Sequence, residues 1–139
     1  MTKTILLITA LLATGCASQR PADDLYRDLG GDEGVTRIVD AFLVHLAEDE
    51  LVVDTFADTD IAEFRRLMIE QLCDLSGGPC TYGGRTMAES HAGMGVTPAM
   101  FNALVADFID AMDDAGVPQG AQNRLLGRLA PMYGDIVEG

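Results

Sequence analysis

Between residues 35 and 46 the apolar side chains Val35, Ile38, Val39, Phe42, Leu43 and Leu46 recur at i, i+3, i+4, i+7, i+8 and i+11. Only a helix gathers such a set onto one side, so this segment must bury a long stripe against other elements. Two more stretches carry the same period. Phe64, Met68, Leu72 and Leu75 form a stripe over residues 61–76, with Arg65, Arg66 and Glu70 largely elsewhere, and Phe101, Leu104, Val105, Phe108, Ile109 and Met112 form another. Glycine and proline punctuate between them: Gly30-Gly31 stops a short helical piece from Asp24 to Leu29, Gly77-Gly78-Pro79 ends the second stripe, and Gly116-Val117-Pro118 ends the third. Thr97-Pro98 reads as a cap followed by proline in the first helical turn. Thr86-Met87-Ala88-Glu89 fits a capping box that opens a short helix carrying His91. A last helix turns Leu125, Leu126, Leu129, Tyr133 and Ile136 inward and is kinked by Pro131. Trp is absent, aromatics are 6% of the chain, and no segment of useful length alternates with strand period, so the fold class is all-α.

The acidic excess, 22 against 9 basic residues, gives a formal charge of -13. Such a surface repels phosphate backbones and removes nucleic acid from the partners. The basic exception is at the start, where Lys3 precedes the apolar run Ile5 to Ala13 and the small residues before Cys16. This is the layout of an export signal, too short for a permanent span, which needs about 20 apolar residues. The domain boundaries follow as 1–15 signal peptide, 16–23 tether and 24–139 folded domain. Ala13-Thr14-Gly15-Cys16 resembles a bacterial lipobox, with Ala13 where Leu is usual. Cys16 is then either lipidated, so that the membrane is met through a lipid anchor only, or the signal is simply cleaved. By resemblance to lipoprotein sorting signals, Ala17 after Cys16 leans towards the outer membrane. The expected location is the periplasmic side of a bacterial membrane. In that oxidising compartment Cys73 and Cys80, flanking a chain reversal, suit a disulfide; free thiols or a metal clip are the alternatives, the latter wanting more Cys or His nearby.

Chemistry must come from few groups, since the chain holds two histidines and three cysteines. It has no HExxH, no phosphate-binding loop, no Gly-x-Ser-x-Gly and no CxxC. An axial imidazole, apolar walls and a cation for propionates are what a haem site asks for, and His91 alone does not establish one.

The motifs around it do more. Leu25-Tyr26-Arg27-Asp28-Leu29-Gly30-Gly31, Tyr82-Gly83-Gly84-Arg85-Thr86-Met87 and His91-Ala92-Gly93-Met94-Gly95-Val96, with Gly77-Gly78 between them, resemble the signatures of group I truncated haemoglobins in order and spacing. The resemblance covers nearly everything from Asp24 to Val137. It implies a two-over-two helical sandwich around haem b (iron protoporphyrin IX), with His91 as the proximal iron ligand. It implies that Phe56 stacks on the haem from its loop, that Phe42, Met87, Val96 and Phe101 line the pocket, and that Arg65 is a candidate partner for a propionate. The ligand is then a diatomic gas, O2, NO or CO, bound for transport, storage or sensing, with an electron donor keeping iron ferrous.

The chain departs from the family at the ligand-facing wall. Where members place a Tyr on the first long helix and a Gln on the distal helix, register gives Leu43 and Met68, with Phe64 at the other distal position. That wall is apolar, which implies fast oxygen release. Gln71, one turn further on, and Tyr82, on the proximal approach, are the remaining polar candidates. His45 lies two residues beyond Leu43 and is expected to face away from the haem. Nitric oxide dioxygenation or a peroxidase-like reaction is the enzymatic alternative, disfavoured by an apolar wall. A haem-free helical binding module is the third reading.

Overall fold

The computed structural model describes residues 24–138. The expected export signal over 1–15, Cys16 and the rest of the expected 16–23 tether lie outside the described residues, as does Gly139. Every regular element among the described residues is helical: α1 (Leu25–Asp28), α2 (Gly31–Glu48), α3 (Ile61–Leu75), α4 (Met87–His91), α5 (Pro98–Asp114), α6 (Gln119–Leu129) and α7 (Tyr133–Ile136), with 3-10 turns at Val53–Phe56 and Ala130–Met132.

The punctuation residues act where their spacing places them. Gly30 and Gly31 both take positive φ, 95° and 63°, and turn α1 into α2. The Asp60 carboxylate accepts from the Glu63 N–H at the start of α3, at 3.1 Å. The far end of α3 closes with paired bonds from Gly78 N–H to the Cys73 carbonyl and from Gly77 N–H to the Asp74 carbonyl, with Gly77 left-handed. Gly116 and Val117 finish α5 in the same manner. Thr97 caps α5 by accepting from Met100 N–H at 3.2 Å, ahead of Pro98. Buried Gln122 holds the next turn, donating to the Val117 carbonyl at 3.0 Å and to the Asp113 carboxylate at 2.6 Å.

The core lies between α2 and α5, with α3 against α2 on another side. Val35, Ile38, Val39, Phe42 and Leu46 of α2 are buried and meet Phe108, Ala111 and Met112 of α5. The Phe42 and Phe108 rings pack edge to face at 5.6 Å. Leu43 is half-buried at the margin of this set.

Two expectations needed correction. Phe56, expected in a loop, ends a 3-10 turn between α2 and α3, which no periodicity reveals in so short a piece. The last helix does not carry one continuous inward face. Pro131 breaks it into the Ala130–Met132 turn, α7 starts on a new register, and Tyr133 is left 41% exposed. Among the described residues, no helix is long and apolar enough to cross a membrane.

Candidate functional site

A helix of five residues has little stability of its own, so α4 depends on its ends. At the start, Thr86 Oγ1 accepts from Glu89 N–H at 3.2 Å while the Glu89 carboxylate accepts from Thr86 N–H at 2.9 Å. These bonds from Thr86 hold the Glu89 carboxyl below its usual range. One turn on, His91 Nδ1 stands 2.8 Å from the Met87 carbonyl. A carbonyl can only accept, so Nδ1 carries the proton, and in the neutral ring the lone pair is on Nε2. The geometry therefore fixes both the orientation and the tautomer of a half-buried imidazole, with Nε2 free of that bond.

The apolar side chains expected beside it come from four elements and the loop after α4. Phe64 and Met68 on α3, Met87 on α4, Phe101 on α5 and Phe56 at the 3-10 turn are half-buried, and Val96 is buried. Phe56 meets Phe64 at 5.3 Å between ring centres, and Phe101 meets Tyr133 edge to face at 4.8 Å. Phe42 is 1% exposed, and its ring contact is with Phe108 in the core. Gln71 of α3 reaches α4, with its amide nitrogen 3.7 Å from Met87 Sδ and 4.0 Å from Met132 Sδ. Thus Met87 is held through both its side chain and its carbonyl.

The other polar candidates are engaged. Arg65 donates twice to Asp40, at 2.6 and 3.0 Å, and that guanidinium keeps the Asp40 carboxyl below its ordinary range. Tyr82 donates its hydroxyl to the Arg85 carbonyl at 2.9 Å and its N–H to Asp74 at 2.8 Å; burial, then the nearby Glu70 charge, pushes the phenol up. His45 lies 2.8 Å from the Asp114 carboxylate, a bond that raises the imidazole against the opposing effect of burial. The sulfurs of Cys73 and Cys80 are 1.94 Å apart, with Cα atoms at 5.8 Å. Asp32 is the further ligand-type side chain beside them, and it accepts from the Tyr26 hydroxyl.

Met132 and Glu138 escaped the sequence reading. Met132 follows Pro131, where the helical period that would assign it a face is interrupted. Glu138 looks like one more surface acid, yet its carboxylate accepts from Gly93 N–H at 2.7 Å and its own N–H donates to the Val96 carbonyl at 3.1 Å. No local pattern signals a contact 45 residues away.

Comparison with known proteins gives the arrangement its family. Residues 24–138 match the family model described as bacterial-like globin. A group 1 truncated hemoglobin from Nostoc sp. is 33% identical over 113 residues, covering 81% of this chain and 96% of that protein. Another, from Mycolicibacterium paratuberculosis, is 30% identical over 115 residues, covering 83% and 85%. Among solved structures, the truncated hemoglobin of Tetrahymena pyriformis in its Fe(III) form superposes with a TM-score of 0.79 at 26% identity, covering 83% of this chain and 98% of that one. The helices described above are those of the two-over-two globin fold, and the chain belongs to the bacterial-like globin family.

Proposed function

We propose that this domain holds haem b through His91 and binds a diatomic gas reversibly at the opposite face. The observation that carries the proposal is the bond between His91 Nδ1 and the Met87 carbonyl, which leaves Nε2 as an oriented neutral donor. Half-buried Phe56, Phe64, Met68, Met87 and Phe101 supply the apolar walls a porphyrin needs, with Leu43, Phe42 and Val96 behind or beside them. Arg65 is the candidate for a propionate, which it would take in exchange for, or in addition to, Asp40. When bound, haem would supply an iron that takes O2, NO or CO, with His91 as the residue that would hold it.

What this chain's own residues contribute on the gas side is exclusion of water without a hydrogen bond. Leu43, Phe64 and Met68 have no donor group, Tyr82 commits its hydroxyl to Arg85, and the Gln71 amide is turned to the Met87 and Met132 sulfurs. Such a wall favours release of oxygen and a role in gas transport or sensing over oxidative catalysis. An electron donor is the implied protein partner. Export through residues 1–15, lipidation of Cys16 and oxidation of Cys73 with Cys80 belong to the same reading: a globin tethered on the periplasmic face of a membrane. Metabolic labelling with palmitate in the Cys16→Ser variant tests the anchor.

The direct test is the visible spectrum of haem-reconstituted protein with and without His91→Ala. The wild type is expected to show a Soret band and an imidazole-iron signature in the ferrous state. The variant is expected to lose that signature and to bind haem more weakly by at least about 100-fold, the upper range for disturbing even an outer-shell partner of a metal site. Unchanged axial ligation in the variant would overturn the assignment.

A further inference from the structure

We infer that Glu138 is a positioning residue for the proximal imidazole. The inference rests on His91 being the iron ligand. The segment that leaves α4 has little to hold it. Ala92 departs from helical geometry, Gly93 and Gly95 take φ of +74° and +64°, and both glycines face open space where a side chain would be. Residues 92–95 are exposed, so packing of their side chains does not set the path of the loop.

Glu138 does set it. Its Oε1 accepts from Gly93 N–H at 2.7 Å, two residues past His91, and its backbone N–H donates to the Val96 carbonyl at 3.1 Å. One residue therefore grips both ends of the glycine loop, and α7 just before it packs on α4. The first of these bonds is to a carboxylate, the stronger class of hydrogen bond. Within the loop, Met94 N–H returns to the His91 carbonyl at 3.1 Å, so a shift of the loop is passed to the residue that bears the imidazole.

The test uses the full chain loaded with haem and compares Glu138→Ala and Glu138→Gln with the wild type. Two quantities are read: the iron-imidazole stretching band of the ferrous, ligand-free protein, and the rate of haem transfer to apomyoglobin. E138A is expected to shift or broaden the band and to speed haem loss by about three- to tenfold, the range of one charge-assisted hydrogen bond at an exposed site. E138Q keeps an acceptor oxygen and is expected to return both readings most of the way. A band and a loss rate in E138A equal to those of the wild type would sink the inference. Should the wild type itself show no imidazole band, the haem reading has failed, and the grip is judged on haem-free protein by amide exchange. There, Gly93 N–H should exchange about tenfold faster in E138A, and equal rates would reject the grip as well.

Discussion

The face where α2 meets α5 and the half-buried apolar side chains of α3, α4, α5 and the 3-10 turn before α3 are built from the same kinds of residue to different ends. On the first, Ile38, Val39, Phe42, Phe108 and Met112 bury one another and close a core. In the second, Phe56, Phe64, Met68, Met87 and Phe101 stop half-buried, and the His91 imidazole on α4 is oriented by the Met87 carbonyl. The first region holds the fold whether or not anything is bound. The second, on the reading proposed above, would be completed by a flat apolar partner, and its precision is concentrated on the imidazole that the Met87 carbonyl orients.

If that division is right, truncations on the two sides will not behave alike. Phe42→Ala opens the closed core and should destabilise by about 3–5 kcal/mol with or without haem. Phe64→Ala, at a half-buried position, should cost about half as much in the haem-free protein. Urea unfolding of both variants, haem-free and loaded, measures the contrast; equal losses would erase the distinction between the regions.

A smaller effect is expected from polarity on the gas side. Introducing Leu43→Tyr together with Met68→Gln offers donors to a bound ligand worth about 1.5–3 kcal/mol. Oxygen release should slow by about ten- to 100-fold, while the unfolding midpoint of the haem-free protein hardly moves. Stopped-flow oxygen dissociation reads this directly, and an unchanged rate would mean that the wild-type wall already contains a donor.

The smallest effect concerns His45, whose carboxylate partner links the two helices of the closed core and which also feels Asp110 and Asp107 of α5. Its pKa is raised above 6.5, so the bond to Asp114 contributes fully below that value and is lost as pH rises through the higher folded-state value. Asp114 is 65% exposed, so solvent screens the pair and the contribution is slight. Thermal melts of His45→Gln and the wild type should differ most below pH 6.5 and converge as pH rises. The Asp40 carboxyl, held low by Arg65, acts in a separate window: its support is present above its usual 3.8 and fades on acidification through the lower folded value.

Most of the closed core was legible because amphipathic period and glycine punctuation are local signals. Five of the six residues in the α2 stripe are buried, and both the Thr86 box and the Thr97 cap formed as their spacing implied. The site was legible in part. His91 stood out through the motifs around it, but the carbonyl that orients it is backbone, and backbone has no letter in a sequence. Arg65 illustrates the limit from the other side: its charge was evident, while its pairing with Asp40 depends on how α3 lies against α2. Tyr133 and Met132 were obscured by Pro131, beyond which helical counting starts again.

The corner between α1 and α2 has one more implication. Gly34 is buried, and a methyl group there would come within 1.9 Å of the Leu29 carbonyl oxygen, a backbone atom that cannot rotate aside. Position 34 thus has an alphabet of one letter, set by a neighbour five residues earlier and not by any ligand. A redesign of this scaffold could rewrite every half-buried apolar position of α3, α4 and α5 and still inherit that constraint unaltered.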